Sequence, residues 1–141
     1  MGHLRLRRIG ETDLFTAPAQ VSLLSSSSPA SESQLLIDTG ASTLFLSESL
    51  IESLGGVPTE PQYEVGGLTG RAKLSSVSDV KVMFGLQDDR RAIRLLKVPV
   101  LPRTSILPVP ADGVLGALPL HLLRATVTID YDTGLGTLEW P

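Results

Sequence analysis

The stretch "QLLIDTGASTLFL", from Gln34 to Leu46, places a single acidic residue between two apolar segments. Three apolar residues come directly before Asp38, and a second apolar segment begins at Leu44 after a run of small and polar residues. This pattern predicts two short strands joined by a loop that carries Asp38. Because burial of an unpaired charge costs free energy, we expect Asp38 to be partly buried and held by hydrogen bonds.

The residues that follow Asp38 are the candidates for those hydrogen bonds. Hydroxyl groups are available at Thr39 and Ser42, and backbone N–H groups at Gly40 and Ala41. Carboxylates in such surroundings concentrate at functional sites, but an aspartate that only caps a turn has the same residue types around it. Residue types alone leave both interpretations of Asp38 open.

The same tripeptide, Asp-Thr-Gly, occurs again in "TIDYDTGLGTLEW", from Thr128 to Trp140. Here Asp132 stands between two alternating segments and is followed by Gly134 and Gly136, a pattern typical of a β-hairpin turn. We therefore expect Asp132 to begin a solvent-exposed turn. A second lobe around Asp132 is excluded, because too few residues follow it in a chain of 141.

Composition excludes several kinds of partner and site. The net charge is −3, with both signs spread along the chain, which argues against nucleic acid as a partner. There is no cysteine, and His3 and His121 are isolated, so we expect no disulfide, metal or other cofactor. No apolar stretch approaches the ~20 residues of a membrane span, and no signal-peptide pattern is present. The compartment stays unknown, with the cytoplasm as the default.

Short segments rich in apolar and β-branched residues predict an all-β sandwich or barrel with one or two short helices. The predicted strands are residues 19–24, 33–37, 43–46, 78–84, 92–101 and 125–131, and the predicted helices are residues 47–55 and 118–124. The serine-rich segment 25–33 predicts a mobile hairpin loop. Length favours a single domain over residues 14–141, preceded by a polar strand or tail at residues 1–13.

The string "LLIDTGAST" has the form of an aspartic protease active site, and through it the chain resembles the retropepsin-like, single-lobed aspartic proteases, in particular the small bacterial-type members. The segment Val114-Leu115-Gly116 is similar to the element that packs beside the catalytic loop in that family. "YEVGGLTGRAKL", from Tyr63 to Leu74, resembles the family's flap, although an ordinary glycine-rich loop is the alternative. Together with the C-terminal strand-turn-strand, the resemblance covers residues 14–141.

The resemblance implies a closed or partly open β-barrel-like acid-protease fold and an aspartic endopeptidase that cleaves polypeptides at acidic pH without a metal. It also implies a homodimer, because the reaction needs two carboxylates and each chain has one usable aspartate. The implied catalytic residues are Asp38, Thr39 and Gly40; the supporting residues are Ala41, Ser42, Val114, Leu115 and Gly116; and the flap residues are Val65, Gly66, Gly67 and Leu68.

The family also implies details of the contacts at the site. The Thr39 hydroxyls would interlock across the two-fold axis, and Ser42 would hydrogen-bond the outer oxygen of Asp38. In viral members both chain ends interleave in the dimer interface, but the ends of this sequence give no clear sign of that arrangement. The alternative function is a non-catalytic dimerisation or peptide-binding module on the same fold, and a carboxylate metal site is a weaker third hypothesis.

Overall fold

The computed structural model describes residues 1–67 and 70–141 and consists mainly of β-strands. The strands are β1 (Gly2–Arg8), β2 (Phe15–Leu23), β3 (Ser31–Ile37), β4 (Leu44–Ser47), β5 (Tyr63–Gly67), β6 (Gly70–Leu74), β7 (Ser76–Phe84), β8 (Arg91–Leu101), β9 (Gly113–Leu115), β10 (Thr126–Asp130) and β11 (Leu135–Trp140). The helices are α1 (Glu48–Ser53) and α2 (Ala117–Leu123), with a 3₁₀ turn at Gln87–Asp89.

Six strands close into a barrel in the order β2, β3, β9, β4, β8, β7, and β7 pairs back to β2. Inward-facing apolar side chains from each of these strands fill the barrel. Fully buried examples, one from each barrel strand, are Val21, Leu35, Leu115, Leu46, Val98 and Val82. The predicted all-β barrel with two short helices is therefore confirmed.

The remaining long strands continue the sheet beyond β2 in the order β1, β11, β10. β1 pairs antiparallel with β11, with Gly2 opposite Trp140 and Leu6 opposite Gly136. The basic N-terminal segment is thus a strand within the sheet, not a tail. Both ends of the chain pair with each other inside one molecule.

Most predicted strands match the observed ones, but β2 begins at Phe15, well before the predicted start at residue 19. Thr16 and Pro18 interrupt the alternation of apolar and polar residues by which a strand is predicted. Thr16 is nevertheless fully buried, and its hydroxyl forms a hydrogen bond of 3.0 Å with Oε1 of Gln34. A polar residue can occupy such a position because its hydrogen bond is satisfied within the protein.

Helix α1 follows β4 directly and begins as the sequence predicts. The hydroxyl of Ser47 caps the helix by accepting a hydrogen bond of 3.2 Å from the N–H of Leu50. Residues 24–30 connect β2 and β3, as expected for a hairpin loop, but residues 31–33 of the serine-rich segment belong to β3. The loop is joined to the end of α1, because the hydroxyl of Ser26 donates a hydrogen bond of 2.8 Å to the carbonyl of Leu54.

Candidate active site

The turn that carries Asp38 crosses one end of the barrel where three strands meet. β9 lies between β3 and β4, pairing in parallel with β3 and antiparallel with β4. The chain must therefore leave β3, pass over the end of β9 and return along the other side of it. This crossing places residues 38–43 at the edge of the barrel.

Backbone hydrogen bonds fix the start of this turn. The N–H of Asp38 donates to the carbonyl of Leu115 at 3.2 Å, and the N–H of Ala41 donates to the carbonyl of Asp38 at 3.1 Å. The carboxylate itself accepts a hydrogen bond of 3.0 Å from the N–H of Gly40. Backbone atoms thus hold both the main chain and one carboxylate oxygen of Asp38 in place.

The expectation that Asp38 is partly buried is wrong for the single chain. Asp38, Thr39 and Gly40 are all exposed. The reason is that β3 ends at Ile37, so the turn projects beyond the barrel instead of lying between the two apolar strands. Ser42 is also exposed, and among the described residues Asp38 accepts no hydrogen bond from its hydroxyl.

The segment Val114-Leu115-Gly116 lies directly against this turn. The N–H of Gly116 donates to the carbonyl of Thr43 at 3.0 Å, and a Cβ at Gly116 would overlap the carbonyl oxygens of Thr43 and Ala41. Only glycine fits this position without moving the backbone of the turn. Leu115 is fully buried in the barrel and Val114 is half-buried.

Helix α2 begins on the same turn. The N–H groups of Ala117 and Leu118 donate to the carbonyls of Ala41 and Ser42 at 2.8 and 3.0 Å, respectively. The first turn of α2 is therefore joined to the Asp38 turn, and the helix also has an exposed outer face. That face holds Leu118 and Leu122, which are 44% and 45% exposed.

Leu118 and Leu122 were not among the site residues predicted from the sequence. They are four residues apart and share one side of α2, while Pro119, Leu120 and Leu123 are buried. A short helix that is apolar on more than one side has more than one packing surface. This pattern in the sequence could have indicated a second packing surface on α2.

The predicted flap segment forms a β-hairpin. β5 and β6 pair antiparallel, with Val65 opposite Ala72, and they make a two-stranded sheet separate from the barrel. Glu64 and Arg71 form an exposed ion pair at 3.6 Å across the hairpin. Gly66 and Gly67 are exposed and Val65 is half-buried, while Leu68 lies outside the described residues.

Asp132 lies in the β10–β11 hairpin turn and is exposed, as expected. It does not begin the turn, however. Oδ1 of Asp130 accepts hydrogen bonds from the N–H groups of Asp132 and Thr133 at 2.9 and 3.2 Å, so Asp130 is the capping residue. The N–H of Gly134, at a φ of 69°, closes the turn on the carbonyl of Asp130 at 2.9 Å.

The described residues were also searched for a metal site and for a membrane-spanning helix. Within residues 1–67 and 70–141, no group of three or more His, Asp or Glu side chains is arranged to hold a metal ion. No helix in that part of the chain is long and apolar enough to cross a membrane.

Comparisons with known proteins concern the fold and the family of the chain. No curated protein matches the chain. The fold is similar to that of a retropepsin-like aspartic protease from Rickettsia conorii, with a TM-score of 0.64 and 20% identity over 97% of this chain and 90% of that chain. A family model described as aspartyl protease matches residues 30–117, which include the Asp38 turn and the Val114-Leu115-Gly116 segment. The chain therefore belongs to the aspartyl protease family and has a retropepsin-like fold.

Proposed function

We propose that this protein is an aspartic endopeptidase that acts as a homodimer, with one Asp38 carboxylate from each subunit. The observation that carries the proposal is the exposed Asp38 turn, whose backbone is fixed by Leu115 and whose carboxylate is oriented by Gly40. A carboxylate held in this way is available to a ligand or to a second copy of the chain.

Two copies are required because each chain supplies a single suitable carboxylate. The second Asp-Thr-Gly lies in the β10–β11 turn, where its backbone is held by Asp130. A two-fold axis through the Asp38 turn would bring the two Asp38 carboxylates together. The absence of a side chain at Gly40 and the small side chain of Ala41 would allow such an approach.

The surface around Asp38 supports association at this point. Leu118 and Leu122 present half-exposed apolar side chains on a helix that is hydrogen-bonded to the Asp38 turn. Their burial against the same residues of a second copy would stabilise the dimer by removing apolar area from water. Because α2 and the turn are joined by backbone hydrogen bonds, dimerisation through α2 would also fix the relative position of the two carboxylates.

The chemistry follows from two carboxylates about 3 Å apart, which share one proton because like charges cannot both ionise, as is established for aspartic proteases in general. The ionised carboxylate removes a proton from water as the water oxygen attacks the peptide carbonyl carbon. The protonated carboxyl donates to the carbonyl oxygen. The carboxyl that took the proton from water then gives it to the amine nitrogen as the C–N bond breaks, and the other carboxylate takes back a proton from a hydroxyl of the intermediate, which restores the single shared proton.

The β5–β6 hairpin would act as the flap over a bound polypeptide. It forms its own small sheet, and the residues of β5 and β6 are mostly exposed, so their backbone is available to an extended substrate. Residues Val65, Gly66, Gly67 and Leu68 would form its substrate-contacting part.

The decisive experiment is the replacement Asp38→Asn, assayed on reduced, carboxymethylated casein. The asparagine oxygen can still accept the hydrogen bond from Gly40, so we expect an intact fold and a loss of cleavage of about 10³-fold or more. The matched control is Asp132→Asn, which changes the other Asp-Thr-Gly and should leave cleavage unchanged. A parent protein that binds casein without cleaving it would instead support the non-catalytic binding module.

A further inference from the structure

A cavity of about 530 Å³ opens between β1 and β2, away from the Asp38 turn. Its walls are residues 3–5 of β1 and residues 18–20 of β2, and its floor is residues 32–34 of β3. Neither residues 38–43 nor α2 contribute to the lining. The cavity is therefore separate from the site described above.

The cavity exists because β1 and β2 separate. They pair only at Arg7 with Thr16 and at Arg8 with Phe15. From Gly2 to Leu6, β1 pairs with β11 on its other edge, and β2 next gains a partner on this side at Gln20, which pairs with Met83 of β7. Within the described residues, the edge of β1 that faces the cavity has no strand beside it.

An unpaired strand edge beside an open groove fits one kind of ligand well. Its unused N–H and C=O groups form hydrogen bonds with an extended backbone, which adds to the sheet as another strand. Residues 2–6 would pair with a guest segment of about five residues, roughly 16 Å long at ~3.3 Å per residue. The opposite wall is less suited to pairing, because Pro18 has no N–H to donate.

The charges of the lining agree with recognition through the backbone. His3 and Arg5 on β1 face Glu32 on β3 and Asp89 beyond β7, so the cavity carries both signs. No single sign dominates, and Leu4 and Met83 add apolar contact. A groove of this kind selects an extended polypeptide and not a strongly charged ligand such as a nucleic acid.

The floor of the cavity leads along β3 toward Asp38. Glu32, Gln34 and Leu36 lie on the outer face of β3, since the residues between them, Ser33 and Leu35, are buried. Asp38 continues this alternation just past the strand, about 13 Å from Gln34 at ~3.3 Å per residue. The cavity and the Asp38 turn therefore lie at the two ends of the same strand.

We propose that the β1–β2 cavity is a second binding site for extended polypeptide, in which a segment of the substrate away from the cleaved bond pairs with the free edge of β1. As a substrate site, this inference rests on the proposed function. Its effect would be to favour long, unfolded polypeptides over short peptides, because a long chain occupies both sites at once.

The test is hydrogen exchange on the Asp38→Asn protein with and without reduced, carboxymethylated casein, which it should bind but not cleave. We expect amides within residues 2–6 to exchange about tenfold more slowly with casein present. Gln20→Trp places a large side chain in the cavity from an exposed position and should remove this protection, and Glu32→Trp should do the same from the floor. Leu96→Trp, an exposed position on β8, is the matched control and should retain it.

Unchanged exchange at residues 2–6, or protection that persists in both cavity variants, would overturn the inference. This result does not depend on catalysis, because binding is measured in a protein without a catalytic carboxylate. The proposed function would fail separately, through the absence of casein cleavage by the parent protein.

Discussion

The N–H of Gly116 donates a hydrogen bond of 3.0 Å to the carbonyl of Thr43, and the same carbonyl oxygen would overlap any Cβ at Gly116. The Asp38 turn is thus held against β9 by a contact that tolerates no side chain. We expect Gly116→Ala to lower the free energy of unfolding by about 1–3 kcal/mol, measured by urea denaturation. Gly66→Ala is the control, because a Cβ there meets nothing within 4 Å; equal losses in the two variants would contradict this account.

Asp112 holds the start of β9 against β3 and gives a second stability prediction. Its Oδ2 accepts a hydrogen bond of 2.9 Å from the N–H of Gln34, and its own N–H donates to the carbonyl of Gln34 at 2.7 Å. Asp112→Ala leaves the Gln34 N–H without this partner and should cost about 1–2 kcal/mol of stability. Asp112→Asn keeps an acceptor oxygen and should cost less. An Ala variant as stable as the parent in thermal denaturation would be inconsistent with this role.

The outer face of α2 gives a prediction about assembly. Leu122→Glu places a charge in the proposed interface and should raise the dimer dissociation constant at least about tenfold in sedimentation equilibrium, with activity falling on dilution. Leu96→Glu changes a leucine that is 73% exposed on β8 and should leave the dimer intact. A fully active protein that sediments as a monomer would exclude the shared-aspartate mechanism.

The shared proton gives a prediction about pH. A mechanism that needs one ionised and one protonated carboxyl loses activity at any pH where either form is missing. We therefore expect a bell-shaped dependence of kcat/KM with its maximum at acidic pH, measured from about pH 3 to pH 8. Sedimentation at each pH separates this effect from loss of the dimer. Activity that rises steadily into the alkaline range would require a different catalytic group.

The β5–β6 hairpin gives a prediction about substrate binding. Val65 is half-buried within a sheet that is separate from the barrel, so Val65→Gly should leave thermal stability nearly unchanged. Because Val65 belongs to the proposed flap, the Val65→Gly substitution should raise KM for casein peptides about three- to tenfold. The conservative variant Val65→Ile should remain close to the parent. A Val65→Gly protein with unchanged KM and kcat would argue that this hairpin has no role in binding.

The sequence was most informative where a local pattern determines a local structure. The apolar run ending at Leu101 predicted β8, the pattern of residues 47–55 predicted α1, and the glycines after Asp132 predicted the last hairpin. In each case a few neighbouring residues supply the physical cause.

The sequence was less informative where tertiary position decides. The exposure of Asp38 depends on β9, far along the chain, occupying the space between β3 and β4. The burial of Thr16 could not be predicted from its neighbours in sequence, because the hydrogen bond that satisfies its hydroxyl goes to Gln34 on a different strand. The β1–β2 cavity forms because the pairing of β1 with β2 ends after two residue pairs, and the sequence of neither strand indicates where that pairing ends.

The position of β11 between β1 and β10 has a consequence for the kinetics of assembly. Gly2 and Trp140 of one chain already pair with each other, so the β1–β11 pairing forms within each subunit. Two such subunits would meet as preformed bodies and would not need to exchange strands before docking. Their association would be limited by orientation, at about 10⁵–10⁷ M⁻¹ s⁻¹, and the lifetime of the pair would set how quickly activity responds to dilution.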